Sequence, residues 1–143
     1  MLTNGWHSDK TGERYWHTAI PLVAAGMMFG LLIFARHEIP LAISFLLLGS
    51  GFLYAYYPTF WAIPTMMLSE SAAAATFGLI NSVGQLGGFA GNYVIGFLND
   101  RTHSLTASFG LIALVYVASA SLILSLRIRN PLGPSQPPGA DRK

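Results

Sequence analysis

The chain has 143 residues, of which 52% are hydrophobic and only 10% charged, with a formal net charge of +2 and no cysteine. A soluble domain carries about 25% charged residues, and a chain without cysteine has no disulfides, thiol catalysis or cysteine metal sites. The mean hydropathy is +0.49, and the charged residues fall in short clusters between long uncharged stretches. A helix needs roughly 20 apolar residues to cross a hydrocarbon core of about 30 Å. The pattern therefore predicts an all-α integral membrane protein with four transmembrane helices. The alternative, a soluble bundle with long buried helices, requires polar outer faces that these stretches lack.

Residues 1–17 read as a polar loop, with turn residues at Asn4, Gly5 and Gly12 and mixed charge at Asp9, Lys10, Glu13 and Arg14. The first span is expected over residues 18–35, with Pro21 in its first turn, where a missing amide donor costs little. Gly26 and Gly30 form a weak small-residue packing pair within it. Arg36, His37, Glu38 and Pro40 mark a tight loop, and the second span follows over 41–64. Pro58 and Pro64 are expected to bend or end it, leaving a short loop over 65–71. Ser50, Tyr54, Tyr57 and Trp61 fall at i, i+4, i+7 and i+11, which places them on one helix face. Such a row suits the wall of a cavity, where rings pack a ligand and polar tips orient it. An interfacial aromatic belt is the alternative, although a belt occupies about one turn and this row covers three.

The third span, over 72–98, places Asn81, Gln85, Gly88 and Asn92 on one face by the same spacing. Carboxamides are costly against lipid, so they point to a water-filled cavity or to hydrogen bonds with a neighbouring helix. Gly84 with Gly88, and Gly87 with Gly91, form two overlapping small-residue pairs suited to close helix packing. These glycines have neither the spacing nor the flanking strand of a nucleotide-binding loop. The fourth span is expected over 105–126. Residues 127–143 read as a disordered tail, rich in proline and glycine from Asn130 onward.

With the N-terminus inside, six basic residues (Lys10, Arg14, Arg127, Arg129, Arg142 and Lys143) lie on the cytoplasmic side, against Arg36 and Arg101 outside. That distribution follows the positive-inside rule and puts both termini in the cytoplasm. The basic residues then serve as an orientation signal, with no call for nucleic acid. His7, His17, His37 and His103 have no metal-ligand spacing. No ionisable group lies deep in any span, so these helices by themselves supply no proton relay. No nucleophile–base pair can be assembled either, which argues against an enzyme.

Several of these residues resemble the major facilitator superfamily, and within it the anion:cation symporters, which carry organic acids such as tartrate, phthalate and sugar acids with protons. Gly5, Asp9, Lys10, Gly12 and Arg14 resemble the superfamily's loop signature. Phe60-Trp61-Ala62-Ile63-Pro64 resembles the family's tenth helix. Ile80-Asn81-Ser82 with Gly84, Leu86-Gly87-Gly88-Phe89, Gly91 and Gly96 resembles its eleventh. The resemblance implies that the spans are helices nine to twelve of a twelve-helix fold in a bacterial inner membrane. It also implies alternating access around a midplane site, a small organic anion as substrate and a proton as coupling ion, with no cofactor or metal.

Trp61 and Asn81 match substrate-contacting positions of that family, and Gln85, Tyr57 and Tyr54 share their faces. Asp9 and Arg14 match a latch that ties the two halves of the fold together. The chain departs from the pattern at His7, where an apolar residue is usual, at Gln85, where asparagine is common, and at Asn92, where proline is common. Family members run to about three times this length. The resemblance therefore implies a C-terminal fragment that lacks its N-terminal helices and does not transport alone. The competing reading is a non-transporting membrane protein that assembles through its glycine faces.

Overall fold

The computed structural model describes residues 2–35 and 37–129, and among these every secondary-structure element is an α-helix. The described residues form α1 (Leu2–Thr11), α2 (Arg14–Leu31), α3 (Ile39–Met67), α4 (Glu70–Thr102) and α5 (Leu105–Arg129). The spans expected over 41–64, 72–98 and 105–126 lie within α3, α4 and α5, whereas the one expected over 18–35 is shifted, α2 running from Arg14 to Leu31 and residues 32–35 forming turns. Two of the long helices, α3 and α5, are long and apolar enough to cross a membrane, with hydropathies of 1.7 and 2.2. Only 6% and 11% of their most apolar windows are buried, whereas the core helix of a soluble protein would be mostly buried. α2 is shorter, at 18 residues, and opens on Arg14, Trp16 and His17. In α4 the carboxamides and glycines dilute the apolar residues over 33 positions, a length of about 50 Å.

α2 is the packing centre, lying between α3 and α5. Its buried residues include Tyr15, Thr18, Ala19, Leu22, Ala25 and Gly26, a stripe at spacings of three and four. Most are small, so neighbouring helices come close. A Cβ on Gly26 would lie 3.1 Å from Cβ of Tyr116 and 3.2 Å from the Ala113 carbonyl oxygen. The tightest cluster joins Ala19 and Leu22 to Ala120 of α5, with Tyr56 and Tyr116 packed against it. Phe29 stacks on Tyr116 at 5.7 Å between ring centroids.

The structure differs from the sequence reading at the N-terminus. Residues 2–11 are helical where a loop was expected, and only Gly12 and Glu13 separate α1 from α2. Gly12 sits at φ +70, a left-handed turn conformation that glycine adopts without strain. Because α2 begins at Arg14, Pro21 lies in the helix interior rather than in its first turn. Its missing N–H leaves the His17 carbonyl without a helical donor. The Asn4 side chain takes that role, its Nδ2 donating to the His17 oxygen at 2.8 Å, while the one Thr59 hydroxyl proton is shared between the Tyr56 carbonyl at 2.8 Å and, more weakly, the His17 carbonyl at 3.2 Å. The Asn4 amide also reaches the Ala55 carbonyl at 2.9 Å, which seats α1 across α2 and α3.

Asn4→Ala should therefore unseat α1 and cost about 1–2 kcal/mol, the usual loss when a partly buried carbonyl gives up its donor. Thermal unfolding in detergent checks this against Leu2→Ala, a change at an 87% exposed side chain that should have no effect.

Pro58 and Pro64 do not end α3, which continues to Met67. The expected loop over 65–71 shrinks to Leu68 and Ser69, with Glu70 opening α4, where an acid favours the positive end of the helix dipole. A threonine hydroxyl follows each proline: Thr59 donates to the Tyr56 carbonyl and Thr65 to the Ala62 carbonyl, both at 2.8 Å. The α4–α5 turn closes on His103 in the left-handed conformation, its N–H bonded to the Asn99 carbonyl. α5 extends to Arg129, three residues past the expected end of the fourth span, and the expected tail from Asn130 onward lies outside the described residues.

Candidate functional site

α3 and α4 diverge around a cleft of about 350 Å³. One wall is aromatic and comes from α3: Tyr56, Tyr57, Phe60 and Trp61. Successive rings meet at 5.2 to 5.9 Å, with Phe60 edge-on to both Tyr56 and Trp61. The facing wall comes from α4 and consists of Ile80, Asn81, Gly84 and Gln85. The spacing explains the arrangement. Tyr57 and Trp61 are four apart on one helix, Asn81 and Gln85 four apart on the other, so each pair stands over the same face. Gly84 leaves room between the two carboxamides.

Among the described residues, the side chains of Asn81 and Gln85 make no hydrogen bond, and both residues are exposed. Their donors and acceptors are therefore available to a ligand. Together with the Trp61 indole N–H and the Tyr57 hydroxyl, they suit a small solute bearing carboxylate or hydroxyl oxygens. The cleft lining contains no Asp, Glu, Lys, Arg or His. It can orient an anion by neutral donors but does not neutralise its charge.

Four of the five residues expected at a substrate site, Trp61, Asn81, Gln85 and Tyr57, line this one cleft. Tyr54 does not. It lines an adjoining hollow of similar size with Ser50 and Leu53, and the two spaces share Tyr56 and Tyr57. One residue was missed. Phe77 of α4 meets Trp61 of α3 edge-on at 5.2 Å beside the cleft. It lies four residues before Asn81, so extending the Asn81 stripe back by one turn would have found it.

The glycines behave unequally. Gly26 and Gly30, the weaker pair, lie against α5. Nothing among the described residues comes within 4 Å of a Cβ placed on Gly84, Gly87, Gly88 or Gly91. Residues 81–90 of α4 are exposed throughout.

In the N-terminal segment, Arg14 forms an ion pair with Asp9, and its Nη1 also reaches the Ser8 hydroxyl at 3.4 Å. Lys10 sits over the Trp6 ring at 5.2 Å, and Gly5 faces Pro58 of α3. A second ion pair, Glu13 to Arg127 at 2.8 Å, ties the start of α2 to the end of α5. Of the residues expected to form a latch, Asp9 and Arg14 are thus paired with each other inside this chain, while Lys10 and Gly5 contact Trp6 and Pro58.

Comparison with known proteins adds relatives at the level of sequence. The chain is 39% identical over 127 residues, 87% of its length, to a protein designated a tartrate transporter in Agrobacterium vitis. A second protein of that designation from the same organism is 38% identical over 84% of the chain. The inner membrane transport protein RhmT of Escherichia coli (strain K12) is 36% identical over 85%. The chain spans about 28% of the length of each of these relatives. They are transporters by name, and none is named as an enzyme. No protein-family model and no solved structure matches the chain.

Proposed function

Because the chain belongs to the same family of membrane transporters as these relatives, we propose that it forms the substrate-binding wall of a transporter for a small organic anion. The observation that carries this reading is the cleft itself, where an aromatic row and two unpartnered carboxamides face each other across a space of small-solute size. The designation of two relatives as tartrate transporters supports a hydroxy-carboxylate as substrate. Following the major facilitator resemblance, the four long helices take the places of helices nine to twelve, with both ends in the cytoplasm of a bacterial inner membrane. Transport proceeds by alternating access and is coupled to protons. The cation that neutralises the anion and the acids that bind the coupling proton come from helices outside this chain, so the isolated chain is inactive.

A chimaera tests this reading. The chain replaces the homologous segment of the Agrobacterium vitis relative, and uptake of labelled tartrate is followed in proteoliposomes. Uptake stimulated by an inward proton gradient is the expected result. A chimaera that assembles but takes up no tartrate, beside an active parent, would refute it.

The open glycine face of α4 favours a second reading, in which the chain assembles with another membrane protein and transports nothing. Asn81→Ala would then leave every property of the complex unchanged, whereas the transport reading expects it to weaken uptake.

A further inference from the structure

Spacing alone assigns no role to His7 and His17, yet the fold brings their rings together across the α1–α2 turn. Nδ1 of His7 lies 2.7 Å from Nε2 of His17, with the ring centroids 4.9 Å apart. Nδ1 of His17 lies 2.5 Å from the Glu13 carbonyl oxygen. A carbonyl oxygen only accepts, so His17 carries its proton on Nδ1 and presents a lone pair at Nε2. His7 must then donate from Nδ1, which leaves its own Nε2 bare, on an exposed residue.

We propose that His7 and His17 form a proton-binding site that fills in two unequal steps and sets whether α1 stays seated on α2. The first proton adds to Nε2 of His7. It turns the bond between the rings into a charge-assisted one, roughly twice as strong as a neutral bond. The second proton can add only to Nε2 of His17, the acceptor of that bond. It removes the bond and sets two imidazolium ions in direct contact.

The charged surroundings do not absorb the second charge. On α1 and the α1–α2 turn, Asp9 is paired with Arg14 and Lys10 lies over Trp6, while Glu13 is paired with Arg127 of α5. α3 carries no Asp, Glu, Lys, Arg or His. Both nearby carboxylates thus already hold a cation. Besides the histidine pair, α1 is seated by the Asp9–Arg14 ion pair, by Asn4, whose two bonds end on the His17 and Ala55 carbonyls, by Ser8, which bonds the Glu13 carbonyl at 3.1 Å, and by Gly5 against Pro58. The histidine site stands apart from the cleft, and its test needs neither substrate nor transport.

The 143-residue chain, ring-labelled with nitrogen-15 histidine in lipid nanodiscs, is titrated from about pH 8 to about pH 5, across the imidazole range. The expected spectra show His17 protonated at Nδ1 at the start, His7 becoming imidazolium first, and His17 following at lower pH. Uptake by His17 first, or by both rings in one step, would overturn the proposal. A second readout uses the absence of native cysteine. Ser8→Cys places the only thiol at a fully buried position. Its reaction with a pyridyl disulfide, relative to Thr3→Cys on the exposed face, should rise about tenfold across the second step, as the loss of one bond and the repulsion imply. His7→Phe should abolish that rise. A ratio that stays flat with pH in the otherwise native chain would also overturn the proposal.

Discussion

In the tartrate-transporting chimaera, Trp61→Ala should weaken substrate binding roughly thirtyfold, about 2 kcal/mol, the loss typical of a central aromatic anchor. Trp61 is the hinge of the aromatic wall. Its ring is edge-on to Phe60 on one side and to Phe77 of α4 on the other. Truncation removes a ligand-facing surface and an indole donor, and it also removes the ring contact with Phe77 of α4. Met27→Ala makes the control. Met27 is 55% exposed on α2, away from the cleft, and its loss should change binding by less than about twofold. Equal effects at the two positions would remove the cleft from the account. Uptake measured across a range of tartrate concentrations, with binding measured separately, distinguishes lost affinity from lost assembly.

Replacing glycines with leucine should produce opposite results in two settings. In the isolated chain, Gly26→Leu should cost about 3 kcal/mol or more, because even its Cβ meets the Ala113 carbonyl and Tyr116 at little over 3 Å. Gly88→Leu should cost nothing there, since its site is open, and should gain a few tenths of a kcal/mol from helix propensity. In the chimaera the proposed arrangement expects Gly88→Leu to abolish assembly, because it packs the open face of α4 against the part of the relative that lies beyond the matched segment. Unfolding in detergent reads the first setting, and the yield of folded chimaera in membranes the second. If Gly88→Leu is harmless in both, the face is a lipid-facing surface.

Much of this was legible in the sequence because period and charge are local properties. Charge clusters bounded the long helices to within a few residues, and the spacing of Tyr57 with Trp61 and of Asn81 with Gln85 gave each helix its face. That the two faces meet in one cleft depends on α3 and α4 packing, which no single helix encodes. The N-terminal segment misled for a physical reason. Asn4, Gly5 and Gly12 are turn formers, but Asn4 is used instead to serve a carbonyl that Pro21 frees on another helix. A contact between residues 4 and 17 has no signature in periodicity. The same holds for His7 and His17. The glycines show the converse limit: a small-residue pair announces that a helix can pack closely, and only the fold tells which pair is used within the chain.

The proposed seat of the small organic anion, between Trp61 and Asn81, is open to a substrate-protection experiment. A single cysteine is placed at Asn81 of the chimaera, with any other thiol removed, and its alkylation rate is measured with and without tartrate. Bound tartrate should slow alkylation at that position in proportion to occupancy, while a cysteine at Leu114, exposed on α5, reacts at an unchanged rate. Alkylation at Asn81 that ignores tartrate, in a chimaera still transporting it, would contradict the account and place the substrate elsewhere.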